Sequence, residues 1–203
     1  MQITSIIQQK RNEDNVNLFL DNKFWCSISK DTLLEFQIHK GKNITSEIKS
    51  EIEQLSKENF IKEKALKYIF IRPRSRKELS DYLIYKKELD ESSVNSVLNT
   101  LEQKGTVNDS EFAKWFVSQR LISNKYGEQR IRSDLIKKGI AKSIIDKSIK
   151  ELVNKDDQQE KIKELIKKFE KEIKETDEYK KKQKIVQRLL SRGFLYENIL
   201  KSI

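Results

Sequence analysis

The chain has 203 residues, of which 36% are charged and 36% hydrophobic, and its formal net charge is +10. That ratio leaves too little apolar material for one compact globule and favours an elongated chain of small units. No stretch approaches the roughly 20 apolar residues of a membrane span, and the opening "MQITSIIQQKRNED" lacks the basic start and apolar middle of a signal peptide; a cytoplasmic protein without membrane contact is expected.

The charge is unevenly spread. It is −1 over residues 1–60, then +3 over 61–104, +4 over 105–153 and +4 over 154–203. A field of this sign attracts polyanions, above all nucleic acid or acidic protein surfaces, although lysines that merely keep helices soluble give the same count.

The first 44 residues read as a small β unit. "VNLFLDNKFWCSIS" alternates Val16, Leu18 and Leu20, then Phe24, Cys26 and Ile28, around the turn formers Asp21 and Asn22, which predicts a hairpin. "ITSII" is a candidate third strand, and "DTLLEFQI" predicts one or two helical turns ending near Gly41. The single cysteine, Cys26, lies in the alternating run, where a small buried hydrophobe is expected rather than a reactive thiol.

From Thr45 the apolar period changes to about 3.6. Ile48, Ile52 and Leu55 predict one helix, and Ala65, Leu66, Ile69 and Phe70 another that ends at the only proline, Pro73. Helices then continue to residue 203. Ser75, Asp90, Asp109 and Gly127, or residues beside them, are expected N-caps, and Gly105, Gly139 and Gly193 C-terminal stops.

A repeat underlies these helices. Shifting the chain by 54 residues places Ile131 on Ile185, Leu135 on Leu189, Ile136 on Leu190, Gly139 on Gly193, Ile140 on Phe194, Ile145 on Ile199 and Ile149 on Ile203. A further copy upstream, with one extra residue in its turn, aligns Leu79, Leu83, Leu89, Val94 and Leu98 with Ile131, Leu135, Ile140, Ile145 and Ile149. Each copy follows a longer helix, near residues 60–71, 110–123 and 158–175. The fold class is therefore mainly α, with three tandem three-helix repeats in an elongated curved body behind a β-hairpin unit. The expected domains are 1–44, 45–104 (a leading helix and repeat 1), 105–153 and 154–203. Phe112, Trp115, Phe116 and Gln119 share helical spacing and are expected in the core of the central repeat.

Catalytic chemistry is poorly supplied. One histidine, His39, and one cysteine cannot build a zinc site, a Cys–His pair or a serine–histidine relay, and the five glycines are scattered rather than gathered in a phosphate-binding loop. The carboxylates lie among lysines and read as salt-bridging partners, so no enzyme activity, metal or cofactor is expected. The informative groups are basic: Arg72, Arg74, Arg76 and Lys77; Lys125, Arg130, Arg132, Lys137 and Lys138; Lys180, Lys181, Lys182 and Lys184. Apart from Lys137 and Lys138, these clusters open the second helix of a repeat, where helix N-termini and basic side chains both favour phosphate oxygens, and Tyr126 and Tyr179 lie beside two of them.

These motifs resemble the bacterial RecX regulatory proteins. The resemblance is carried by "RPRSRKELSDYL" with Arg74, Ser75, Glu78, Leu79 and Leu83, by "NDSEFAKWFVSQR" with Asp109, Phe112, Ala113, Trp115 and Arg120, and by "GEQRIRSDLIKKGI" with Gly127, Arg130, Ile131, Leu135, Lys138, Gly139 and Ile140. It runs from about residue 60 to 203 and is strongest over 65–150. The N-terminal strands look like those of longer, Gram-positive-type members, and Asn108 stands where the family usually has a second acidic residue before Asp109. The resemblance implies a non-enzymatic modulator of RecA that lies in the groove of the RecA filament on single- or double-stranded DNA. Such a protein would limit RecA ATPase, strand exchange and LexA-type cleavage, and so modulate recombination, DNA repair and the SOS response. A monomer suits a strip that fills a groove. The alternative is a winged-helix transcription regulator, since "SRKELSDYLIYKKELDESSVNSVLNTLEQKGTV" alone has the three-helix rhythm of that class.

Overall fold

The computed structural model describes residues 1–10, 12–123 and 125–203. The chain divides into two compact units, residues 1–72 with 79–104 and residues 73–78 with 105–203.

In the first unit, strands β1 (Ile3–Gln8), β2 (Asn15–Leu20) and β3 (Lys23–Ser29) form an antiparallel sheet in the order β1-β2-β3. Asp21 and Asn22 both take positive φ, 47° and 65°, the conformation that a two-residue hairpin turn requires. The alternation buries Val16, Leu18, Leu20, Cys26 and Ile28 on one face, closed by Ile38, Ile44 and Ile52. Burial, aided by the negative charge of Glu53, pushes the Cys26 thiol up to about 12, so it stays protonated and inert at neutral pH. His39 is exposed. The short helix α1 (Lys30–Glu35) is capped by Ser29, whose hydroxyl accepts from the Thr32 N–H.

The two helices expected between residues 45 and 71 are one, α2 (Ser46–Ile71). At 100° per residue, Ile61 lies half a turn round from Ile52, so the first part of α2 buries Ile52 against the sheet and the later part buries Ile61 and Ala65 on the opposite side. That change of buried face mimics a break in periodicity although no glycine or proline interrupts the helix. Leu66 and Phe70, expected in the core, are exposed. Helix α3 (Arg76–Asp81) continues as a π turn over Tyr82–Lys86, and the later part of α2 packs on that turn and on α4 (Glu91–Gln103), capped by Asp90.

The second unit holds α5 (Asp109–Ile122), α6 (Glu128–Lys137) and α7 (Lys142–Leu152), then α8 (Lys155–Glu172), α9 (Glu178–Ser191) and α10 (Tyr196–Leu200). These are two three-helix repeats, each with its own apolar core. The third repeat is formed by the later part of α2 with α3 and α4. The segment after α4 leads into α5, so no β wing follows the first repeat among the described residues.

Most of the predicted ladder is buried: Leu79, Leu83, Val94 and Leu98; Ile131, Leu135, Ile140, Ile145 and Ile149; Ile185, Leu189, Phe194 and Ile199. Ile136 and Leu190 are 63% and 43% exposed, because each follows a buried leucine by one residue and is turned 100° away from the core. Ile203, beyond α10, is also exposed, Leu89 is half-buried, and in the central repeat Gln119 is exposed and Trp115 half-buried beside the buried Phe112 and Phe116.

The glycine corners explain the echo at 54 residues. Gly139 and Gly193 have φ of 79° and 85°. The amides of Ile140 and Phe194 reach back to the carbonyls of Leu135 and Leu189 at 3.1 and 3.2 Å, and those of Gly139 and Gly193 to Ile136 and Leu190 at 2.9 and 2.8 Å. This is a Schellman closure in each repeat. The equivalent residue of the first copy is Glu88, left-handed at φ 54° without being glycine. There the Leu89 amide reaches Leu83, one residue further back, and the extra residue is held in the π turn rather than in the corner itself.

A left-handed φ is only half of the requirement. A Cβ on Gly139 would lie 2.8 Å from Lys77 Cβ, and one on Gly193 would meet the backbone and Cβ of Arg130, whereas Gly105 has open space. Gly105→Ala is therefore expected to cost about 1 kcal/mol, the price of the left-handed φ alone. Gly193→Ala should cost more than about 3 kcal/mol, and Glu88→Gly should stabilise by up to about 1 kcal/mol. Thermal unfolding by circular dichroism checks the order; a Gly193→Ala variant no weaker than Gly105→Ala would show that close packing is not what demands glycine there.

Candidate polyanion-binding surface

The second unit is built on two equivalent joints. At the first, Ser75 caps α3 by accepting from the Glu78 N–H at 3.1 Å and donates its own hydroxyl to the Lys138 carbonyl at 2.8 Å. The Arg76 N–H donates to Asp109 Oδ1 at 2.8 Å, and Glu78 pairs with Lys138. At the second, the Gly127 and Gln129 amides donate to the carbonyls of Arg192 and Gly193 at 2.9 and 3.0 Å. In both, a helix start, that of residues 75–78 or that of α6, sits on a left-handed corner within the second unit. Asn108, not Asp109, caps α5 through the Ser110 and Glu111 amides. Asp109 is thus free to serve the α3 terminus, where burial pushes its carboxyl up against the lowering effect of the Arg76 amide and charge.

Charge is partitioned between the units. The first contains 15 Lys/Arg and 15 Asp/Glu; the second contains 27 and 17, so the entire +10 belongs to the second unit. The linear count hid this, since Arg74, Arg76 and Lys77 precede α4 in the chain yet belong with residues 105–203.

The predicted basic residues sort into two kinds. Arg72, Arg74, Arg76 and Lys77 are engaged with neighbouring groups, Arg72 in the first unit and the others in the second. Arg130 pairs with Asp134 at 3.4 Å. Arg132 donates to Glu128 at 2.7 Å and also contacts Asp146. Burial opposes its charge, but these two carboxylates together hold the guanidinium above its usual range. Lys138, besides Glu78, lies over the Phe112 and Phe116 rings at 6.0 and 5.6 Å. Lys184 donates to Glu175 at 2.6 Å, lowering the carboxyl's affinity for a proton, and Lys180 is 3.8 Å from Asp177. Lys125, Lys137, Lys181 and Lys182 have no ion pair among the described residues, and all but Lys181 are exposed.

Backbone amides contribute less than the sequence pattern implied. Asp177 takes the Tyr179 and Lys180 amides at the start of α9, and the Gln129 amide at the start of α6 is taken by Gly193. At these two helix starts those amides are therefore already bonded within the protein.

Several engaged cations escaped the sequence reading. Arg120 donates to Asp134 at 3.1 Å and lies 4.9 and 4.8 Å from the centres of the Phe116 and Tyr126 rings, so the half-buried Tyr126 serves the core. Arg188 and Arg192 lie over Phe169. Except for Phe116, four residues before Arg120 on α5, their partners come from other segments of the chain, so little local pattern marks them. Tyr179 is 71% exposed beside its lysines. Among the described residues no group of three or more His, Cys, Asp or Glu could hold a metal ion, and no helix is long and apolar enough to cross a membrane.

Four family models match the chain: the regulatory protein RecX N-terminal domain over residues 1–45, and the first, second and third RecX three-helix domains over 62–101, 108–149 and 156–202. Regulatory protein RecX of Clostridioides difficile is 38% identical over 199 residues, covering 97% of this chain and 92% of the relative. The Listeria welshimeri protein of that name is 30% identical over 200 residues, covering 97% and 72%. A crystal structure of regulatory protein RecX superposes with a TM-score of 0.83 at 23% identity, covering 99% of this chain and 98% of that one, a likeness of fold. RecX from Lactobacillus salivarius gives 0.65 at 27% identity over 72% and 94%.

The two kinds of cation should behave differently when reversed. Lys137→Glu is expected to lower the salt concentration that elutes the protein from immobilised heparin while leaving the thermal midpoint within a degree or so. Arg132→Glu should lower the midpoint clearly, since it sets three carboxylates together with Glu128 and Asp146. Equal midpoints for the two variants would remove the distinction.

Proposed function

We propose that this chain, which belongs to the RecX family of regulatory proteins, regulates RecA by binding its filament on DNA and restraining ATP hydrolysis, strand exchange and coprotease activity. The observation that carries the reading beyond family membership is the confinement of all net positive charge to the second unit. A RecA–DNA filament is a regular polyanion, and an array of exposed lysines on repeated helices contacts phosphates or acidic side chains without reading base sequence.

The mechanism is occupancy rather than chemistry. Within the second unit, bonds from Ser75 to Lys138 and from Gly127 to Arg192 fasten residues 73–78 to the central repeat and that repeat to the last one. Lys125, Lys137 and the lysines at the start of α9 supply long-range attraction. The second unit, seated among RecA subunits, then opposes their addition or the movements that accompany ATP turnover.

Two measurements test this. Sub-stoichiometric protein added to RecA on single-stranded DNA should reduce the ATPase rate; no effect at any ratio rejects the RecA reading. Replacing Lys180, Lys181 and Lys182 together by Glu should weaken filament binding and reduce the slope of log affinity against log salt by about 2 to 3, with the helical signal unchanged. An unchanged slope would assign these lysines to solubility alone.

A further inference from the structure

The first unit, which carries no net charge, holds a groove that the filament reading does not use. Its cavity of about 680 Å³ opens between strand β3 and one face of helix α2, and its walls include Phe24, Trp25, Glu53, Lys57, Phe60 and Glu63. Phe24 and Phe60 are 58% and 48% exposed, large apolar rings held at the surface.

The carboxylates are fixed by neutral donors rather than by buried cations. Glu53 Oε1 accepts from the Trp25 indole N–H at 2.8 Å, and Glu63 Oε1 accepts from the Asn12 carboxamide at 2.7 Å and from that of the buried Asn15. Asn15 is itself held by Asn59, which donates to its Oδ1 at 3.3 Å. The cations nearby compensate weakly. Lys49 and Lys67 stand 3.8 and 3.6 Å from Glu53 and Glu63 as helical neighbours, and Lys67 is 71% exposed. Lys57, although it lines the groove, pairs with Asp90 at 3.4 Å. Oε2 of Glu53 has no hydrogen-bond or ion-pair partner among the described residues. Phe60 already carries an ammonium, that of Lys64, 4.9 Å from its ring centre.

We propose that this groove docks an extended basic segment of a protein partner, with Glu53 and Glu63 each receiving a lysine or arginine and the Phe24, Trp25 and Phe60 rings covering the stretch between. Charge complementarity selects this occupant. Two oriented carboxylates on an aromatic wall attract cations and repel the phosphates of a nucleic acid. The spacing selects its form. Glu53 and Glu63 are ten residues apart on α2, about 15 Å along the axis. An extended peptide covers that in four to five residues at about 3.3 Å each, and side chains four apart point the same way. Strand β3 is an edge strand, so a peptide beside it meets backbone hydrogen-bonding groups that no further strand takes.

The test uses the full-length chain and a fluorescein-labelled peptide of about seven residues with two lysines four positions apart, set against the same peptide with glutamates in their place. The lysine peptide should bind, the glutamate peptide should not, and binding should shift the Trp25 indole N–H resonance, with Trp115→Phe to assign it. Glu53→Gln and Glu63→Gln should each weaken binding about tenfold, as loss of one charge-assisted contact implies. Phe60→Ser, at an exposed ring, should also weaken it and serves where Glu63→Gln disturbs the fold by circular dichroism. Equal binding of the two peptides, or unchanged affinity in both Glu53→Gln and Phe60→Ser, overturns the proposal. So does an oligothymidylate that binds and shifts the Trp25 resonance while Glu53→Gln leaves it bound.

Discussion

The second unit depends on one constraint: the left-handed corner that closes α6 or α9 must also be thin enough for a helix start, that of residues 75–78 or that of α6, to sit on it. Gly139 and Gly193 satisfy both demands, since a Cβ at either would strike Lys77 or Arg130. The Schellman hydrogen bonds use the last carbonyls of α6 and α9, while the carbonyls of Lys138, Arg192 and Gly193 face the incoming helix start and accept from Ser75, Gly127 and Gln129. One corner thus ends a helix, turns the chain and caps a neighbour. The first copy shows the two demands separately. Glu88 keeps the left-handed φ but is exposed, and at that corner a side chain is tolerated and one residue is inserted as a π turn.

The parts of the fold that follow from spacing were legible in the sequence. The hairpin at Asp21 and Asn22, the ladder from Ile131 to Ile149 and its echo from Ile185 to Ile199 all rest on periodicities of two or about 3.6, and on glycines that end helices. Helix α2 was misread because a helix serving two cores changes its buried face partway, and periodicity alone reads such a change as an end. Ile136 and Leu190 were misread because apolarity at a helix end does not reveal which side the last turn presents. The basic residues were legible as a set but not one by one. Nothing near Arg132 in sequence announces Asp146 fourteen residues on, and nothing near Lys138 announces Glu78, sixty residues earlier.

Folding also redistributes the charge. Along the chain the positive excess begins at residue 61, but the segment 73–78 folds with the later residues and leaves the first unit neutral at 15 against 15. Short-range joints at Ser75 and Arg76 therefore have a long-range electrostatic consequence, because they add three cations and one carboxylate to the unit that already carries the field.

Within that unit the two kinds of cation divide the work by their chemistry. Every arginine is committed: Arg74 and Arg76 are engaged near the first joint, Arg120, Arg130, Arg132 and Arg188 pair with carboxylates, and Arg192 lies on Phe169. A planar guanidinium with several donors and a weakly hydrated face suits such half-buried, stacked positions. The exposed groups without ion pairs, Lys125, Lys137 and Lys182 among others, are lysines, which act as hydrated point charges on flexible stems. Bidentate reading of guanine edges is arginine chemistry, and arginines held in the framework are not available for it. A surface assembled this way presents its charge on flexible side chains rather than on a fixed set of paired donors.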